Sequence, residues 1–121
     1  MTLFRAIPIH VHAALEVTAA PLLMVAPFAL GFSHLAGTLS IALGVLLLGL
    51  ATSVYGDSER GNLPLSAHAG LDYTLAVAAM VAGVVAGIAG GDDVATVFLV
   101  GFGSAHMALT ASTRFSRPLG A

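Results

Sequence analysis

Apolar residues fall into four long blocks along the chain, and polar residues gather in three short breaks between them. The blocks predict helices near residues 9–32, 36–55, 66–89 and 94–113, broken at Phe32-Ser33-His34, from Gly56 to Pro64, and at Gly90-Gly91-Asp92-Asp93. Each block is close to the ~20 apolar residues with which an α-helix crosses a bilayer. The first and last breaks are so short that helices 1–2 and 3–4 should form tight antiparallel hairpins. The expected architecture is all-α: an integral membrane four-helix bundle forming a single transmembrane domain over residues 1–121.

The pattern repeats. Residues 7–31, "IPIHVHAALEVTAAPLLMVAPFALG", align at an offset of 56 with residues 63–87, "LPLSAHAGLDYTLAVAAMVAGVVAG", and ten of the 25 positions are identical. Pro8/Pro64, His12/His68, Thr18/Thr74 and Met24/Met80 coincide, and Glu16/Asp72 match in charge. Helices 2 and 4 match more weakly at an offset of 59, through "GVLLLGLATS" and "GSAHMALTAS". Repeat 1 then covers about residues 7–56 and repeat 2 about residues 63–113. Each holds two spans, so the two repeats are parallel and their pseudo-two-fold axis should lie along the membrane normal.

Composition agrees with membrane residence and removes several chemistries. Hydrophobic residues make up 58% of the 121 and charged residues 8%, too few for the polar shell of a soluble domain. There is no cysteine, hence no disulfide, thiolate nucleophile or cysteine-bound metal. A net charge of -2 without a basic cluster speaks against nucleic acid as a partner. No serine-nucleophile elbow, phosphate loop or metalloprotease helix motif is present, so the chain is read as non-enzymatic.

Arginine placement sets the expected orientation. Arg5 precedes helix 1, Arg60 lies between helices 2 and 3, and Arg114 and Arg117 follow helix 4. These regions share one side of a four-span protein, which the positive-inside rule assigns to the cytoplasm, with both termini. The expected location is a membrane whose inner side faces the cytoplasm. Glu16 interrupts the apolar core that a cleaved signal peptide would need, so helix 1 is taken as retained.

Small residues mark expected packing surfaces. Ala79, Gly83, Gly87 and Gly91 recur every fourth residue on helix 3, a stripe along which another backbone can approach closely. Pro21 and Pro27 free the carbonyls of Val17 and Leu23 inside helix 1.

Ionisable residues in the spans supply the candidate chemistry. His12 and Glu16, like His68 and Asp72, are four apart and share a helix face. Each acid can accept from its own histidine, or both can turn to a shared ligand. Running the other way, His106 reaches a similar depth, with Thr110, Thr52 and Ser53 nearby; His10 faces elsewhere, and its counterpart is Ser66. A structural polar layer is one outcome. His12 and His68, with His106, are also candidate ligands of haem b or a chlorophyll-type pigment. A metal ion drawing on His12, Glu16, His68 and Asp72 is an alternative, and a mixed nitrogen–oxygen set suits zinc, iron or manganese. A proton-coupled small transporter with Glu16 as the exchanging acid is a further alternative.

The stretch "LLMVAPFALGF", residues 22–32, resembles the bacterial SPW-repeat membrane proteins, small proteins of paired spans, with Ala26-Pro27-Phe28 where that family carries Ser-Pro-Trp. Gly31-Phe32 and "LPLSAHAGLD" also look similar, whereas the second unit has Ala82-Gly83-Val84 in that place. The resemblance implies a bacterial membrane protein and brings no ligand or reaction. The functional expectation is an accessory or structural subunit of a larger membrane complex, or a homo-oligomer, in contact with lipid and with other membrane subunits.

Overall fold

The computed structural model describes residues 5–54 and 63–116. Tyr55, Arg60 and Arg117, which entered the helix and orientation assignments, lie outside the described residues. Among the described residues four helices form: α1 (Ile9–Leu30), α2 (His34–Thr52), α3 (Leu65–Gly90) and α4 (Asp93–Ala111). All four are long and apolar enough to span a membrane. Two two-residue strands, β1 (Ile7–Pro8) and β2 (Thr113–Arg114), pair in parallel and tie the start of α1 to the end of α4.

The helix ends differ from expectation where caps intervene. α1 stops at Leu30 because Gly31 takes a left-handed conformation (φ 68°), with its N–H donating to Pro27 O. His34, expected in the break, is the first residue of α2, whose N-cap Ser33 accepts from the Ala36 N–H. α4 starts one residue early under the Asp92 side chain, which accepts from the Ala95 N–H at 3.0 Å. It ends two residues early, because Thr113 leaves the helix for the strand pair.

Buried positions run down one face of each helix, and on α1 they step by four and three through Ile9, Ala13, Glu16, Ala20, Leu23 and Pro27. The hairpin partners α1–α2 and α3–α4 pack most closely, and α2 touches α3 more than α1 touches α4. The two hairpins cross at equivalent points. A Cβ on Gly44 would meet Met24 Cγ and Ala20 O at 2.7 and 2.9 Å; one on Gly103 would meet Met80 Cγ and Ala76 O at 2.6 and 2.5 Å. Glycine at these points lets the backbones touch, which is how helices gain contact in lipid.

The expected stripe on α3 is only partly a packing surface. Ala79 is buried, and the sites of Gly83 and Gly87 are filled by Val100 and Thr96 of α4. Gly91 is different: it is the left-handed C-cap of α3 (φ 61°), and a Cβ there would meet nothing among the described residues within 4 Å. Its glycine answers a backbone requirement, not close approach. Of the carbonyls freed by proline, Leu23 O accepts from Ser40 Oγ of α2.

At the hairpin-turn end, Asp92 Oδ2 also accepts from the Ser33 N–H at 2.7 Å. One carboxylate therefore caps α4 and holds the turn of the other hairpin. Those two backbone donors, Ser33 first, keep the Asp92 carboxyl below the usual carboxylate range.

Candidate functional site

At the opposite end of the bundle, near the strand pair, five ionisable side chains meet. The i, i+4 spacing puts His12 with Glu16 on the inner face of α1 and His68 with Asp72 on the inner face of α3; His106 enters from α4. His12, Glu16, His68 and Asp72 are fully buried, and His106 is 5% exposed.

The pairing crosses between repeats. His12 Nε2 lies 2.8 Å from Asp72 Oδ2 and 3.0 Å from Glu16 Oε1. His68 Nε2 lies 3.2 Å from the same Asp72 oxygen and 3.3 Å from the same Glu16 oxygen. Each acid is therefore shared, and the own-helix pair is only half of the arrangement. His106 Nε2 faces the other two oxygens, 3.6 Å from Glu16 Oε2 and 3.4 Å from Asp72 Oδ1. Those three atoms have no hydrogen-bond partner among the described residues.

Hydroxyls fix the outer nitrogens of His12 and His68. Thr113 Oγ1 donates to Leu109 O at 2.7 Å, so at 2.8 Å from His12 Nδ1 it acts as acceptor, and Nδ1 carries the proton. Ser53 Oγ donates to Leu50 O at 2.6 Å and stands 3.4 Å from His68 Nδ1 in the same relation. Each histidine is thus held by a hydroxyl just past the second helix of the other repeat. Both Nε2 atoms are left facing the carboxylates.

Aromatic rings close the cluster above and below. Phe115, beyond β2, packs edge-on to His12 with ring centres 5.2 Å apart, and lies 6.0 Å from His68. It shares an apolar plug with Ile9, Ala13, Val54 and Leu65. On the other side Phe102 stacks on His106 at 6.1 Å.

His12, Glu16, His68, Asp72 and His106 come together as one group. Thr110 is buried but donates to His106 O, and Thr52 is exposed and donates to its own helix. His10 lines a recess of about 150 Å³ with Pro8, Ile9, Arg114 and Ser116, outside the cluster. Thr113 and Phe115 were not foreseen; the hydroxyls closing "LATS" and "LTAST" were the available signal for Thr113. Phe115 had none, because the strand pair that seats it is a tertiary contact.

Four of the five residues supply ligand atoms all within 4.8 Å of one another: His12, Glu16, His68 and Asp72. This favours an ion over a macrocycle. The His12 and His68 rings are 5.8 Å apart with both carboxylates against their Nε2 atoms, so a haem or chlorophyll-type ring between them would have to displace two acids. No protein family, curated protein or solved structure matches this chain.

Proposed function

We propose that the protein is a non-enzymatic integral membrane bundle of a bacterial inner membrane, with both termini cytoplasmic, that works as a subunit in a membrane assembly, in the first place with copies of itself. The observation that carries this reading is the outer face of α4. From Gly101 to Ala111 its exposed residues are Gly101, Ser104, Ala105, Ala108 and Ala111, with no large side chain among them. A Cβ at Gly101 would meet nothing within 4 Å, so this glycine serves no contact inside the described chain. The Ser104 hydroxyl donates to Val100 O and leaves the surface flat and satisfied. Small residues at helical spacing are what close helix association in lipid requires.

The other helices contrast with this face. α1 and α3 present large side chains such as Phe28 (79% exposed) and Ile88 (84%), as lipid-facing helices do. Within the most apolar stretch of each helix only 28–33% of residues are buried, so much of the perimeter is free for lipid or partners. The resemblance of residues 22–32 to SPW-repeat proteins agrees with a small bacterial membrane protein. The haem, pigment and transporter alternatives have no comparable support; Glu16 is enclosed by three imidazoles.

Extraction into native-lipid nanodiscs followed by mass measurement tests the reading. The expected species is a multiple of the 12.1 kDa chain, reduced to a monomer by Gly101→Leu. A wild-type monomer with no companion subunit overturns it. A stoichiometric second protein, lost in Gly101→Leu, assigns the face to a larger complex.

A further inference from the structure

We propose that the buried cluster is a binding site for one divalent transition-metal ion, ligated by Nε2 of His12 and His68 and by one carboxylate oxygen each of Glu16 and Asp72. This goes beyond the assembly reading and stands on different residues.

Spacing is the first argument. Imidazole nitrogen and carboxylate oxygen bind such ions at about 2.0–2.2 Å, which sets neighbouring ligand atoms roughly 2.8–3.6 Å apart from octahedral to tetrahedral geometry. The four histidine–acid contacts run 2.8, 3.0, 3.2 and 3.3 Å and close a ring in which nitrogens and oxygens alternate.

Orientation is the second. A ligating imidazole donates its other N–H to an outer partner that holds the ring and its tautomer. Thr113 and Ser53 take that role, because their own protons are spent on Leu109 O and Leu50 O.

Charge is the third. Two carboxylates and one divalent ion sum to zero, the favourable total for a group enclosed by apolar helices. The fourth is the unpartnered set. Glu16 Oε2, Asp72 Oδ1 and the 95%-buried His106 Nε2 aim at one another without a hydrogen bond. They flank the proposed ion and offer it further ligands, a carboxylate turning bidentate or His106 joining.

The donor set names the class of ion. Two nitrogens and two oxygens without sulfur suit Zn²⁺, Fe²⁺, Mn²⁺ or Co²⁺; soft Cu(I) prefers thiolate or thioether, and Mg²⁺ and Ca²⁺ prefer oxygen alone. Phe115 and Phe102 cover the site and make it a closed one.

Titration of chelator-stripped full-length protein in nanodiscs with Co²⁺ tests this, read by visible absorption and by metal analysis. One Co²⁺ per chain is expected, with ligand-field bands, displaced by Zn²⁺ and untouched by excess Mg²⁺. His68→Ala and Asp72→Asn should abolish the bands. Thr113→Val keeps all four ligands and should weaken binding roughly 10–100-fold at unchanged stoichiometry. Circular dichroism of each variant separates a lost site from a lost fold, and Thr113→Val gives a second readout where a ligand variant fails to fold. Substoichiometric binding by wild type overturns the proposal, and so does binding that the folded variants leave unchanged.

Discussion

A single hydroxyl or carboxylate does unequal amounts of work in this chain, depending on what it replaces. Ser40 Oγ donates to Leu23 O, the carbonyl that Pro27 cannot serve, whereas Thr38 Oγ1 only bonds back to His34 O on its own helix. Ser40→Ala should therefore cost about 0.6–1.7 kcal/mol of unfolding free energy in bilayer or bicelle, the span seen for interhelical hydrogen bonds in membranes. Thr38→Ala should cost close to nothing, and equal effects would contradict this assignment. Asp92 is the other such residue. Its carboxyl is held below the ordinary range by the Ser33 and Ala95 N–H groups, so it stabilises the fold above the unfolded-state value, near pH 4, and that contribution is lost as pH falls through the lower folded value. Wild type and Asp92→Asn should thus differ in thermal midpoint at neutral pH and converge in strong acid; a constant gap down to pH 2 would show that the charge is irrelevant.

At the scale of helices, the hairpin crossings decide stability. Leucine at Gly44 or Gly103 would drive into Met24 with the Ala20 carbonyl, or Met80 with the Ala76 carbonyl, and the rigid backbone oxygen cannot give way. Both Gly44→Leu and Gly103→Leu should unfold or misassemble the bundle. Gly49→Leu, with nothing among the described residues within 4 Å of its Cβ position, should fold normally in the same thermal-melt comparison. A tolerated Gly103→Leu would mean that the hairpins do not cross there. Sequence reasoning located these helices to within three residues at each described end, because uninterrupted apolar length is a local property. It misplaced the ends where a cap or strand intervened, as at His34 and Thr113. It also treated Gly91 as part of a packing stripe, since spacing cannot distinguish a glycine needed for close approach from one needed for positive φ.

At the scale of the whole molecule, orientation and site are linked, because the cluster lies at the end carrying Arg5 and Arg114. The chain has no cysteine, so single-cysteine variants can be labelled without background. The proposed orientation, with both termini cytoplasmic, requires Asp93→Cys to react with an impermeant thiol reagent on intact spheroplasts, and Ser116→Cys only after permeabilisation. The reverse pattern would invert the topology and put the cluster on the outer side.

Apolar block length, the 56-residue offset and the i, i+4 histidine–acid spacing were sufficient to foresee four helices long and apolar enough to span a membrane, with His12, Glu16, His68 and Asp72 on inward faces. Each is a pattern along the chain itself, and the i, i+4 spacing becomes one helix face wherever the helix sits. Which acid meets which histidine was not contained in that information. Glu16 and Asp72 are shared across repeats, Thr113 and Ser53 orient the rings from the opposite hairpin, and Phe115 seals the cluster from beyond the last helix. These contacts depend on how far apart and at what rotation the two hairpins dock, and that is a property of side-chain packing over the whole bundle.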